Sequence, residues 1–202
     1  KKENDDDYSL MDAEKELFSL KRKVGSFFSK GNYQEALNSA EILQEKVQSS
    51  LGTDNSIYAS TINDVALMHK MLGNHEKSME LYTEALHKYH STVGKDHASY
   101  AHTLQNLGVL YKTQAEASKG MDKDQLLTRA EEALKDAVSI FSRLSSHGPT
   151  SKETLVCSNN LNLVYSAQGR HAMAIENARY LVSLCKEELG LVVVTANALN
   201  NL

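Results

Sequence analysis

Glycines recur in this chain at a fixed interval. Gly31 and Gly73 stand 42 residues apart, as do Gly52 and Gly94, and Gly148 and Gly190; the step from Gly94 to Gly148 is 54. Gly31, Gly73 and Gly169 open the related stretches GNYQEA, GNHEKS and GRHAMA. Gly52, Gly94, Gly148 and Gly190 sit in SSLGTDN, STVGKDH, SSHGPTS and EELGLVV. Glycine tolerates the left-handed backbone that ends a helix. These seven positions therefore read as punctuation between helices.

Between the marks the apolar residues follow a helical period. Ile62, Val65, Ala66 and His69 form one stripe; Leu104, Leu107, Gly108 and Tyr111 form the next; Ser158, Leu161, Asn162 and Tyr165 take the same places further on. Second helices follow, marked by Ala36, Ala40 and Leu43, then Ser78, Tyr82 and Ala85, then Ala133, Ala137 and Ile140, then Ala174, Ala178 and Leu181. Small residues early in each second helix let two helices approach closely. No strand alternation is sustained, although LVVVT taken alone has strand character. A lone helical hairpin leaves its apolar face open, whereas stacked hairpins cover one another. The expected fold is all-α: a right-handed superhelical solenoid of stacked antiparallel helix hairpins.

The chain divides accordingly. Residues 1–8 form an acidic tail expected to be disordered, and 9–56 a degenerate first hairpin with Ser9 and Asp12 as a capping box. Residues 57–97 are a regular repeat. Residues 98–149 are a repeat whose insertion near 115–128 lengthens the hairpin, with a turn near Lys119 to Asp124 and Asp122 or Asp124 as helix cap. Residues 150–190 are a further repeat, and 191–202 begin another. The absence of a leading Met and the interrupted last repeat suggest part of a longer protein.

Composition narrows the function classes. A net charge of −4 argues against a broad nucleic-acid footprint, which needs a basic face. No apolar run reaches the ~20 residues required to cross a bilayer. Cys157 and Cys185 lie in apolar helical stretches and are expected as core thiols rather than a disulfide framework. No signal peptide is visible. A cytoplasmic setting is expected, with an organelle reached after removal of a targeting segment as the alternative.

GKDHASYAHTLQNLGVLYKTQ, at Gly94 to Gln114, resembles the tetratricopeptide repeats of kinesin light chains. The related stretches are TINDVALMH, TLQNLGVLY, CSNNLNLVY and the terminal NALNNL. The resemblance extends from about Val24 to Leu202. A step in the forties also fits HEAT and armadillo repeats. The tetratricopeptide reading is favoured by an aromatic or His ending the first helix (His69, Tyr111, Tyr165), by the Gly-led turn, and by a small residue opening the second helix. His75 and His171 take the aromatic place that Tyr33 holds in that turn, which implies packing. The long insertion departs from the light-chain pattern.

In such a stack the first helices line an inner wall. Opposite the buried stripe lie Ser60, Asn63, Leu67 and Lys70; His102, Gln105, Val109 and Lys112; and Asn159 and Leu163, beside Val156 and Ser166. Asn200 begins a further set. Asn63, Gln105, Asn159 and Asn200 make a row of amides, each able to donate and accept along an extended peptide backbone. Lys70 and Lys112 favour acidic residues. The resemblance implies the same: light chains capture peptides whose aromatic residue is flanked by acids. The neighbouring Asp64, Asn106, Asn160 and Asn201 are expected to point towards the preceding hairpin and to bond between units.

No chemistry is expected. His87 and His90 are three residues apart with His97 beyond them, but no carboxylate or thiol completes a metal set, and no His-Glu-x-x-His occurs. A phosphate-binding loop and a Gly-x-Ser-x-Gly elbow are both missing from the sequence. The expectation is a non-catalytic adaptor without metal or cofactor. It binds an extended, acidic peptide segment of a protein partner in a concave groove. The alternative is a structural or assembly subunit of a large complex, using its convex face and the extended third hairpin.

Overall fold

The fold is taken from a computed structural model of the 202-residue chain. The structure describes residues 2–144 and 148–188, and the side chains within them except at 2–13, 184, 185, 187 and 188. Among the described residues eight helices follow in order: α1 (Lys2–Ser29), α2 (Tyr33–Leu51), α3 (Ser56–Met71), α4 (His75–Thr92), α5 (Ala98–Ala117), α6 (Gly120–Arg143), α7 (Lys152–Ala167) and α8 (His171–Glu188). Among the same residues there is no strand. The chain forms two compact units, Lys1–Thr92 and Val93–Leu202. Asn200, Asn201, Gly190 and the repeat expected at 191–202 lie outside the described residues, as does the side chain of Cys185.

The three Gly-led turns are built alike. In each, the residue after the glycine donates its N–H to the carbonyl five residues back: Asn32 to Phe27, Asn74 to His69 and Arg170 to Tyr165, all at 2.9 Å. Gly31, Gly73 and Gly169 carry φ of 75°, 81° and 73°. This is the Schellman closure, in which a left-handed residue satisfies carbonyls that the helix end leaves open. The acceptor is the aromatic or His that ends the first helix, so the recurring motif and the recurring bond are one feature.

Different chemistry links successive hairpins. Asn55 caps α3, its Oδ1 accepting from Tyr58 N at 2.8 Å while its Nδ2 donates to the carbonyls of Leu51 and Gly52. Ser151 caps α7 by accepting from Thr154 N at 3.1 Å. His97 caps α5, its Nδ1 accepting from Ser99 N at 3.1 Å. That bond gives His97 a local structural role, and no group of three His, Cys, Asp or Glu among the described residues is placed to hold a metal ion.

The core of the first unit is the stripe read from the sequence. Ile62, Ala66, Tyr82 and Ala85 are wholly buried, with Ala36, Ala40 and Leu43 behind them. Ser78 donates to the Ala66 carbonyl at 2.7 Å, drawing α4 against α3. In the second unit Gly108 takes the place of Ala66, and a Cβ built there would lie 2.8 Å from Leu134 Cγ and 3.3 Å from the Ala130 carbonyl oxygen. Asn162 takes that place in α7, where its Oδ1 accepts from Asn177 Nδ2 at 2.6 Å. Cys157 is a buried free thiol, as expected, donating to the Leu134 carbonyl at 3.6 Å. Burial pushes its pKa up to about 12, so it is inert at neutral pH.

Three local expectations need correction. α1 begins at Lys2, so the helix runs through residues expected as tail and through the supposed Ser9 capping box. An acidic run suits the first turns of a helix, where the macrodipole is positive. In the third hairpin the chain does break at Ser118–Lys119, but the position before α6 is Lys119 with no side-chain cap bond, and Asp122 lies inside the first turn. Gly120, at φ 62°, makes the reversal. α5 and α6 have 20 and 24 residues, against 16 and 18 for α7 and α8. Finally, Tyr33 does pack, with its ring 5.7 Å from Phe28, whereas His171 is exposed.

Candidate functional site

The residues expected to line a groove fall on the first helices of three hairpins. In the first unit Ser60, Asn63, Leu67 and Lys70 lie along one face of α3, and all are half-buried. In the second unit Gln105, Val109 and Lys112 on α5 are half-buried, as are Asn159 and Leu163 on the neighbouring α7. Their spacing of three and four residues sets each group on a single helix face. Val156 is exposed, and Ser166 is half-buried.

The members of these faces differ in how far their own protein uses them. Lys112 pairs with Glu116 at 2.7 Å one turn on, which weakens its pull on a foreign carboxylate. The His102 ring meets Phe141 of α6 edge-on, with centroids 4.8 Å apart, so this residue serves packing as well. Asn63 is hydrogen-bonded to Asp64. Lys70 differs from all of these. Burial lowers its pKa from the usual lysine value, and it forms no ion pair with a carboxylate among the described residues.

Of the second polar residues, Asp64 alone shows an interaction with the preceding hairpin among the described residues. Asp64, Asn106 and Asn160 are half-buried. Burial raises the Asp64 pKa, opposed by Lys21 of α1 and by the Asn63 hydrogen bond. Asp64 thus faces the preceding hairpin through Lys21. A carboxyl whose folded pKa is raised binds its proton more tightly in the fold than in the unfolded chain. Its destabilising effect is fully present above the folded pKa and fades as pH falls below it. Asp64→Asn should therefore stabilise the chain at pH 7, with the gain shrinking as pH falls through the folded pKa. Urea unfolding at pH 7 and at pH 4 checks this; an equal gain at the two would contradict it.

A polar cluster in the second unit was not foreseen from the sequence. Glu131 of α6 accepts from Arg170 Nη1 at 2.6 Å, Gln168 Nε2 at 2.9 Å and Lys135 Nζ at 2.6 Å. Arg170 also donates to Gln168 Oε1 and lies 4.8 Å over the Tyr165 ring. Burial would raise the Glu131 pKa, but the hydrogen bonds from Lys135, Gln168 and Arg170 together outweigh it and hold the carboxyl below its ordinary value. The cluster ties α6 to the turn between α7 and α8. The one sequence signal for it was Arg170, which stands where the sibling turns carry Asn32 and Asn74.

Comparison with known proteins agrees with this geometry. The family described as "Tetratricopeptide repeat" matches residues 59–99. No curated protein matches the sequence. Two crystal structures of a Podosopora anserina putative kinesin light chain with nearly identical TPR-like repeats, one of them a point variant, superpose with TM-scores of 0.72 at 18% identity, over 92% of this chain and 86% of theirs. BtubC (BKLC) from P. vanneervenii superposes with a TM-score of 0.67 at 22% identity, over 81% of this chain. The present chain spans 62% of the BtubC chain. The fold is thus the tetratricopeptide-repeat fold, a stack of helical hairpins of the kind that serves as a protein-interaction scaffold. Within that class its fold is similar to that of the putative kinesin light chain structures. No helix among the described residues is long and apolar enough to cross a membrane.

Proposed function

We propose that the chain is a non-catalytic adaptor in which the first-helix face within a unit, α3 in the first or α5 with α7 in the second, holds an extended, acidic segment of a protein partner. The face of α3 supplies Ser60, Asn63, Leu67 and Lys70. In the second unit Gln105, Val109, Lys112, Asn159 and Leu163 offer the same mixture of amide, apolar and cationic groups. Amides grip a peptide backbone in either hydrogen-bonding sense. Apolar neighbours bury its alternate side chains.

Lys70 carries the reading. An ammonium with burial-lowered pKa and no counter-ion among the described residues gains most from a carboxylate delivered by a ligand. A bound carboxylate favours the charged form, so affinity for an acidic peptide should fall as pH rises through that lowered pKa. The test is fluorescence anisotropy with a labelled extended dodecapeptide bearing Glu and Asp around one aromatic residue, alongside its Gln/Asn counterpart. Lys70→Glu should weaken the acidic peptide about tenfold and leave the amide peptide nearly unchanged. Equal binding of both peptides by wild type and variant would refute the reading.

A second reading, that of an assembly subunit, draws on one observation. Met121 is 76% exposed at the start of the long α6, where a partner could cover it. If the third hairpin is the contact, deleting Ser118 to Leu126 releases the partner while Lys70→Glu does not.

A further inference from the structure

α1 and α3 run in the same register. The bond that closes the first Gly-led turn ends on Phe27 and that of the second on His69, 42 residues further on. Leu20 and Val24 are buried in α1 at the places that Ile62 and Ala66 hold in α3. The same step carries the α3 face onto α1: Ser60, Asn63, Leu67 and Lys70 correspond to Phe18, Lys21, Gly25 and Phe28. Both helices belong to the first compact unit, and the charge of Lys21 acts on Asp64 of α3. α1 thus continues the face that α3 offers to a peptide.

Two of these places are unlike their counterparts. Phe18 stands where α3 has Ser60, and its ring is 67% exposed. Gly25 stands where α3 has Leu67. Among the described glycines Gly25 alone has no local need to be glycine. Seven others carry positive φ, and Gly108 lies against Leu134. Gly25 sits inside α1 without a positive φ, and a Cβ built there would meet nothing within 4 Å. Glycine inside a helix costs stability relative to alanine, and one use that offsets the cost is close approach of a ligand. The helix period sets Gly25 on the same side as Phe18, two turns on. Bare backbone and an unshielded ring therefore share one face.

We infer that Phe18 and Gly25 form an apolar subsite for the partner segment held on α3, one that takes an aliphatic side chain flanking the acidic stretch. The inference rests on the adaptor reading, because it extends the face that α3 supplies in the first unit. The aliphatic group packs on the Phe18 ring, while the segment's backbone approaches α1 at Gly25, where any side chain would hold it off. An apolar occupant gains from covering the ring, whereas a polar one loses its water there without a hydrogen bond in return. Four extended residues, about 13 Å of chain, carry the segment from α3 towards α1. The subsite adds a specificity that charge alone does not give: an acidic segment with a leucine beside it is preferred to an equally acidic one without.

The test is a leucine walk on the 202-residue chain. The probe is the acidic dodecapeptide with four serines added at each end, together with the eight peptides in which one of those serines is leucine. Anisotropy titrations should find one leucine position that tightens binding to wild type about tenfold over the all-serine flanks. Phe18→Ser and Gly25→Gln should each bring that leucine-to-serine ratio back to about one. Gly25→Gln should at the same time raise the urea midpoint, since glutamine favours the helix more than glycine does, so its effect on the ratio is not unfolding. No leucine position that tightens binding, or a gain that survives both substitutions, would overturn the subsite and leave the α3 reading intact. A wild type that binds the serine-flanked acidic peptide no better than its Gln/Asn counterpart would overturn the α3 reading, and the subsite with it.

Discussion

Gly108→Val should destabilise the second unit by about 2–3 kcal/mol, the usual penalty for inserting methyl groups into a filled core. The cause is specific. A Cβ at Gly108 would sit 2.8 Å from Leu134 Cγ and 3.2 Å from its Cδ2, with the Ala130 carbonyl oxygen 3.3 Å away on the same helix. Leu134 is fully buried, so its neighbours hold it in place. α6 must therefore shift away from α5. Leu134→Ala alone opens a cavity and destabilises by about 2–5 kcal/mol. The double variant Gly108→Val/Leu134→Ala should be more stable than the sum of the two changes implies, because the new side chain fills the space that the leucine leaves. Urea unfolding of the three variants measures the coupling, and strict additivity would show that the close approach does not limit packing.

The second large effect concerns Glu131. Glu131→Ala removes the shared acceptor of Arg170, Gln168 and Lys135, and should destabilise the second unit by about 1.5–2 kcal/mol. Arg170→Ala should have a similar effect, and the two together should be well short of additive. The pH dependence carries a sign. The folded carboxyl lies below its ordinary value of 4.5, so the stabilisation is complete above that pH and is lost as pH falls through the folded pKa. Acid unfolding of Glu131→Ala should lack that part of the slope. Parallel acid titrations of wild type and variant would show the idea to be mistaken.

Much of the fold was legible because the repeat prints its physics in small residues and glycines. Gly31, Gly73 and Gly169 each need a positive φ, and the bond that closes each turn spans the same interval. Ala66, Gly108 and Asn162 mark one place in three first helices, and all three are buried. The stripe at Ser78, Tyr82 and Ala85 was equally plain, since burial follows the period of the helix. Less visible were effects with no period. Nothing in the acidic start of α1 distinguishes a helix that begins at Lys2 from a tail. The cap of α6 was misassigned because two aspartates in the insertion looked suitable, while Gly120 makes the turn and leaves Asp122 inside the helix.

The candidate site was readable as faces but not as chemistry. The spacing of Ser60, Asn63, Leu67 and Lys70 gave the α3 face. It did not reveal that Lys112 is paired with Glu116, that the His102 ring rests on Phe141, or that Asn63 is bonded to Asp64. Those partners depend on side-chain direction and on which neighbour arrives first. Lys70 and Lys112 look equivalent in the repeat, yet the fold sets them apart. Glu131 and Arg170 are 39 residues apart in a chain with no further sign of their pairing, so their bond follows only from the stacking of hairpins in the second unit.

Hydrogen–deuterium exchange of the 202-residue chain, with and without the acidic dodecapeptide, tests the central claim most directly. The account predicts added protection on α3 between Ser60 and Lys70, or on α5 and α7 around Gln105 to Lys112 and Asn159 to Leu163, with α2, α4 and α6 unchanged. Protection confined to Ser118–Leu126, or none on any first helix at saturating peptide, would contradict it.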